Sequence, residues 1–233
     1  MIDLYALTSP NVQKVFLMLE ETGLPYNTIP VDVWKAEQFK PEFLKINPNG
    51  KVPAIVDHDG PGGKPYTVIE SGAILIYLAE KTGKFLPAKG TERHDVLQWL
   101  MVQMTGVGPM FGQQVHFSRF APAGNDYGLS RYCTEVLRLY DLIEQRLGVT
   151  GAYLGGADYS IADIATYPWL RNYALNGVKA DGLPNVGRWV DTIGARPAAQ
   201  RVLEILPTIK SVRDNAAEDD KDRFFGRGKY ARA

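Results

Sequence analysis

Apolar and polar positions alternate at the start of the chain: Ile2, Leu4 and Ala6 stand against Asp3 and Tyr5, a period of two that predicts a half-buried strand. From Val12 the period changes, because Val12, Val15, Phe16 and Leu19 recur at helical spacing and leave Gln13, Lys14 and Glu20 for the other faces. Between the two runs lies Thr8-Ser9-Pro10-Asn11, three cap-type residues and a proline suited to a first helical position, where no backbone N–H is needed. Thr22-Gly23-Leu24-Pro25 stops the helix. Residues 26–33 predict a second strand with Ile29, Val31 and Val33 on one face, and residues 36–46 a short helix carrying Phe39, Phe43 and Leu44. Asn47-Pro48-Asn49-Gly50 is dense turn chemistry. Residues 51–57 predict a third strand, with Pro53 near its start because proline cannot donate to a ladder, and residues 66–69 a fourth that closes a hairpin. Residues 70–83, apolar nearly all round from Ala73 to Ala79, predict a helix buried on more than one side.

Beyond Pro87 no convincing strand pattern remains. Helical patterns cover residues 92–120, 129–147, 160–176, 183–194 and 197–206. Gly106-Val107-Gly108-Pro109 should kink or end the first of these. Ser160-Ile161-Ala162-Asp163 opens another with aspartate in the capping-box position and Tyr159 available as a staple; breaking that cap should cost about 1 kcal/mol. The pattern therefore predicts an α+β fold: a βαβαββα N-terminal domain over residues 1–86, a linker at 87–91, an all-α domain over 92–208 and a tail at 209–233.

Composition narrows the function classes. In 233 residues, Lys plus Arg and Asp plus Glu both number 26, so no overall field recruits nucleic acid or a membrane surface, and a small, locally recognised ligand is expected. A single cysteine, Cys133, leaves no disulfide framework or two-cysteine redox motif within the chain. No apolar run reaches membrane-spanning length and Met1 leads straight into a strand, so a cytoplasmic location is expected. His58, His94 and His116 lack metal-ligand spacing, and no metal is inferred. Trp34, Trp99, Trp169 and Trp189 read as packing residues. The tail turns from acidic (Glu218, Asp219, Asp220, Asp222) to basic and aromatic (Arg223, Phe224, Phe225, Arg227, Lys229, Tyr230, Arg232). It is either a solvated end or a segment whose aromatics pack on the body.

The turn between the first strand and helix is where chemistry is expected. Free N–H groups and the positive end of the helix dipole make it a site for an anion, a thiolate among them; the alternative is that Thr8, Ser9 and Asn11 only cap the helix.

In this order and spacing, Asn49-Gly50-Lys51-Val52-Pro53-Ala54-Ile55, Glu70-Ser71-Gly72-Ala73-Ile74 and Ser160-Ile161-Ala162-Asp163 resemble the cytosolic glutathione transferase superfamily, over about residues 1–206. Ser9-Pro10-Asn11, residues 38–44, Gly106-Val107-Gly108-Pro109-Met110 and Arg131-Tyr132 resemble its bacterial nu class, the branch related to the yeast nitrogen regulator and to bacterial disulfide-bond oxidoreductases. The resemblance implies a thioredoxin-like first domain, glutathione as co-substrate, and a homodimer whose site lies at the interface.

It also implies roles for particular residues. Val52, ahead of a cis Pro53, would pair its main chain with the cysteinyl part of glutathione. Glu70 and Ser71 would hold the γ-glutamyl end, and Gln38, with Lys51, the glycyl end. Arg131 would come from the neighbouring subunit. Ser9, Asn11 and Thr8 are the candidates at the sulfur; the branch usually has threonine where Ser9 stands, so which hydroxyl serves is open. Tyr5 is a weaker rival, since a phenol on a strand more often packs. Thioredoxin-fold redox proteins often carry a cysteine at this turn, and here none is present, so the sulfur must come from the ligand. Cys133, on a predicted helix, reads as a small packing residue.

The expected function is a glutathione-dependent disulfide reductase. A transferase or peroxidase acting on hydrophobic electrophiles or hydroperoxides is the alternative, with Val107, Met110, Phe111, Phe117 and Phe120 as possible pocket residues. A non-catalytic glutathione-binding regulator is the third reading.

Overall fold

A computed structural model describes residues 1–211 and 215–230. These fall into two compact units, Met1–Ile74 with the described residues from Arg201 onward, and Leu75–Gln200.

In the first unit, β1 (Ile2–Ala6), β2 (Tyr26–Pro30), β3 (Ala54–Asp57) and β4 (Tyr66–Ile69) form one sheet in the order β2-β1-β3-β4. β1 runs parallel to β2 and antiparallel to β3, and β3 antiparallel to β4. The alternation at the start of the chain is realised, with Ile2, Leu4 and Ala6 buried and Asp3 and Tyr5 half-buried. The crossover from β1 to β2 contains α1 (Pro10–Thr22), which ends on Gly23 in the left-handed conformation, φ 73°.

Two expectations are corrected by proline. β3 begins at Ala54 rather than Lys51, because Pro53 has no N–H for the ladder. The helix expected over residues 36–46 is broken: Ala36 has φ 60°, and Lys40 is held extended at φ −66°, ψ 143° by the ring of Pro41 that follows it. A 3-10 turn at Glu37–Phe39 and the single-turn α2 (Pro41–Leu44) replace it. Upstream, the chain leaves β2 at Pro30 and Asp32 caps a second 3-10 turn by accepting from the Trp34 N–H at 3.2 Å; Val31 stays buried and Trp34 takes the inward place expected of Val33.

The tail does not lie free. α10 (Glu218–Phe225) packs on this Trp34 turn, with the Phe224 and Phe225 rings 4.5 Å and 5.9 Å from the indole. Tyr230 instead folds back on α10, donating to Asp219 at 2.9 Å. Arg232 lies outside the described residues.

α3 (Ser71–Thr82) runs from the first unit into the second. The second unit holds α4 (Thr91–Val102), α5 (Gly108–Arg119), α6 (Asp126–Thr150), α7 (Ile161–Leu170) and α8 (Pro184–Gly194), and α9 (Pro197–Ile205) begins in it. Between α4 and α5 a π turn at Gln103–Val107 absorbs the break expected from Pro109, which cannot donate within the helix. Phe111, Tyr140, Leu147, Ile164, Trp189 and Ile193 are part of its core.

That core is tied together by Asp163. The expected capping box at Ser160 forms, and the same fully buried carboxylate also accepts from the Leu154 N–H and the Trp189 indole N–H, both at 2.9 Å. Burial pushes its carboxyl up against the donors that pull it down. Removing it strands several buried donors, each costing about 1–3 kcal/mol. Asp163→Ala should therefore lower unfolding free energy by about 3 kcal/mol or more, against about 1 kcal/mol for Ser160→Ala, in denaturant titration.

Candidate functional site

Three chain breaks meet at one end of the sheet. The register sets Tyr5 opposite Ala54, and Ala54 opposite Ile69, so β1 leaves, β3 enters and β4 leaves at the same level. Residues 7–11, Val52-Pro53 and Glu70-Ser71 therefore emerge side by side.

The first break is the N-terminus of α1. Ser9 is its N-cap, but the Ser9 side chain makes no capping bond; the N–H groups of Val12 and Gln13 donate instead to the Ser9 carbonyl at 2.9 Å and 3.0 Å. Gln13 Nε2 donates to the Thr8 carbonyl at 2.8 Å. Thr8, Ser9 and Asn11 are all half-buried, and no described group takes up the Ser9 hydroxyl or the Asn11 amide. Simple capping is thus not what these side chains do, and their donors stay available to something placed against the turn. Tyr5 differs: its ring packs edge-on against Phe43, 5.9 Å away, and burial pushes its phenol up.

The second break is the cis Val52–Pro53 bond. Buried Asn47 shapes the approach to it, donating from Nδ2 to the Lys51 carbonyl at 2.7 Å and accepting the Asn49 N–H at 2.9 Å. Gly50 has φ 62°, and a Cβ there would stand 3.0 Å from the Phe39 ring, so the turn and the segment carrying Gln38 approach closely. Gln38 is 3% exposed and its Oε1 is buried without a partner among the described residues. Lys51 is exposed. The Val52 peptide groups pair with no described backbone group, which leaves an unfilled edge beside the sheet.

The third break is the N-terminus of α3. Glu70 holds φ 67°, left-handed for a residue with a Cβ, at a cost of about 1–3 kcal/mol. Its carbonyl accepts the Ile74 N–H at 2.9 Å and its carboxylate accepts from Asn49 Nδ2 at 3.1 Å. Ser71 is buried, and Lys14 Nζ donates to its hydroxyl at 3.3 Å.

Lys14 is the functional candidate that sequence reasoning missed. Assigned to an outer face of α1, it is 1% exposed, because α1 is buried over the whole run from Val12 to Leu19. Burial pushes its ammonium down to about 7, while Glu70 pulls it up. A polar residue beside an apolar stripe gives no sign in the sequence that it is buried.

The residues gathered at the sheet end all belong to the first unit. Arg131 belongs to the second, on α6, exposed and paired with Glu135 at 2.7 Å. Cys133, two residues on, is half-buried. Val107 and Phe111 are fully buried in the helical core, whereas Met110, Phe117 and Phe120 are half-buried. Among the described residues no group of three or more His, Cys, Asp and Glu side chains is arranged to hold a metal.

Comparison with known proteins points one way. The glutathione S-transferase N-terminal domain model matches residues 8–81, and the glutathione S-transferase C-terminal domain model matches residues 131–197. The chain is 48% identical over 204 residues to the disulfide-bond oxidoreductase YfcG of Escherichia coli, covering 87% of this chain and 94% of that one. A glutathione transferase family member from Pseudomonas fluorescens, solved with two glutathione bound, superposes with TM-score 0.82 at 46% identity, covering 87% of this chain and 92% of that one. A glutathione transferase from Pseudomonas putida, solved with one glutathione disulfide per subunit, gives TM-score 0.82 at 43% identity, covering 88% and 91%.

The strained backbone at position 70 can be tested apart from any ligand. Glu70→Gly and Glu70→Ala both remove the carboxylate, but only glycine adopts φ 67° without strain. Glu70→Gly should be the more stable variant by about 1 kcal/mol in denaturant unfolding.

Proposed function

The chain belongs to the glutathione S-transferase family, and on that premise we propose that it is a glutathione-dependent disulfide-bond oxidoreductase of the nu class, working as a cytoplasmic homodimer. Glutathione lies across the sheet end. Its cysteinyl backbone adds to the free edge at Val52 beside Pro53, as a strand would. Its γ-glutamyl ammonium meets Glu70, and the carboxylate meets Ser71 and the N-terminus of α3. Its glycyl end reaches Gln38 and Lys51.

The sulfur then falls at the α1 turn, where Ser9, Asn11 and the helix N-terminus hold it as a thiolate, with Thr8 the second candidate hydroxyl. A cysteine thiol has a pKa of about 8.5, so a shift of two units needs about 2.7 kcal/mol of selective stabilisation of the anion. Two donors at about 1–1.5 kcal/mol each, with the dipole, suffice. The observation that carries this reading is the unspent pair of donors on Ser9 and Asn11 at a turn that lacks a cysteine.

The reaction is thiol–disulfide exchange. The glutathione thiolate attacks one sulfur of the substrate disulfide, forming a mixed disulfide and releasing the other sulfur as thiolate. A second glutathione thiolate attacks the mixed disulfide, giving glutathione disulfide and the second substrate thiol. Two glutathiones are oxidised for each disulfide reduced. The relatives solved with two glutathiones, or with glutathione disulfide, support this order. Arg131 serves the neighbouring subunit's site; its exposed pairing with Glu135 is weak enough to exchange for a ligand carboxylate. A reducing glutathione pool fits the cytoplasm, and no helix among the described residues is long and apolar enough to cross a membrane. Conjugation of hydrophobic electrophiles is less supported, because Val107 and Phe111 are fully buried in the helical core.

Reduction of 2-hydroxyethyl disulfide by glutathione tests the reading. Wild type should turn over well above the uncatalysed rate, and turnover at that rate would sink the proposal. Ser9→Ala and Asn11→Ala should each lose about tenfold in kcat/KM at neutral pH, the equivalent of about 1.4 kcal/mol of thiolate stabilisation.

A further inference from the structure

An ammonium inside a protein is costly, and a buried lysine bonded to a candidate binding residue is a candidate for a functional role. Lys14, on the second turn of α1, is 1% exposed, with Nζ 3.3 Å from Ser71 Oγ at the first residue of α3. Glu70 is the charged group acting on it. In the proposed γ-glutamyl subsite the exposed Glu70 carboxylate and the ligand's ammonium and carboxylate sum to one negative charge beside buried Ser71. A cation behind Ser71 balances it.

Resting on the glutathione reading, we propose that Lys14 is a positioning residue of the γ-glutamyl subsite, which acts through Ser71 and takes up a proton as the ligand carboxylate arrives. The hydrogen-bond polarity supplies the mechanism. An ammonium has only donors, so the Ser71 oxygen accepts from it and the hydroxyl proton is directed away from the lysine, able to donate to a carboxylate. A neutral amine can accept, which lets the hydroxyl turn inward and present its lone pairs to the ligand. Ligand-free, Lys14 is held down to about 7, so both forms are populated near neutral pH. A bound carboxylate favours the charged form and raises the pKa. Affinity is therefore full below the ligand-free value and falls as pH rises through it toward the bound one.

S-methylglutathione keeps the γ-glutamyl end and has no thiol to titrate at the α1 turn, and Lys14→Met, which retains the titration of the ligand's own ammonium, is the reference for the lysine's part. Calorimetric titration of the full chain in buffers of differing ionisation enthalpy should show uptake of about half a proton at a pH of about 7.5 if binding raises the lysine by about one unit. Affinity should fall up to about tenfold between a pH of about 6 and one of about 8.5. Lys14→Met should bind about tenfold more weakly at the lower pH and lose the lysine's part of that slope. Lys14→Arg, always charged, should bind tightly across the range without the lysine's proton uptake. Binding by wild type with no more proton uptake and no steeper slope than Lys14→Met overturns the role of Lys14 while leaving the glutathione reading standing. No binding of S-methylglutathione at any pH overturns both. If Lys14→Met does not fold, the wild-type proton count and Lys14→Arg still decide.

Discussion

The antiparallel register that sets Tyr5 against Ala54 and Ala54 against Ile69 is the constraint on which the site depends. A slip of one residue would flip every side chain to the other face of the sheet and carry the three breaks out of line. Because Ile2, Leu4 and Ala6 are buried while Asp3 and Tyr5 between them are only half-buried, such a slip of β1 is opposed by the core itself. The register thus converts an ordinary hydrophobic pattern into a spatial coincidence: a helix N-terminus with unspent donors, an open backbone edge at Val52 and a second helix N-terminus at Ser71.

Much of what surrounds that end is unfavourable for folding alone. Glu70 is held in a left-handed conformation, Lys14 is buried, Gln38 Oε1 has no partner among the described residues, and Ser9 forgoes the capping bond its side chain could make. Each costs free energy in the ligand-free chain. The helical unit shows the opposite economy: buried Asp163 is met by backbone, hydroxyl and indole donors. Polar burial that is satisfied holds the fold, whereas at the sheet end Gln38 Oε1 stays open among the described residues.

The order of strands and helices was legible because periods of two and near four are local, and the turns at Gly23 and Asn47 to Gly50 are written in residues with few conformational alternatives. Apart from the family resemblance, only the turn from Thr8 to Asn11 stood out, as a helix N-terminus suited to an anion, and there plain capping of α1 was the alternative; the other candidate site residues came from the resemblance. Where the reading failed, the cause was non-local or steric. Lys14 is buried although its place in the pattern of α1 assigns it to another face, and the helix over residues 36–46 is interrupted by Pro41 acting on Lys40. The tail carried aromatic residues without showing that Trp34 would receive two of them.

In the proposed reaction the protein supplies hydrogen-bond donors and glutathione supplies the reactive sulfur. Thiolate absorbance of glutathione bound to the protein, followed against pH, tests it most directly. A titration midpoint about two units below the value of about 8.5 for a free cysteine thiol is the predicted result. A midpoint unchanged from free glutathione would contradict the account, since the Ser9 and Asn11 donors would then do nothing for the sulfur.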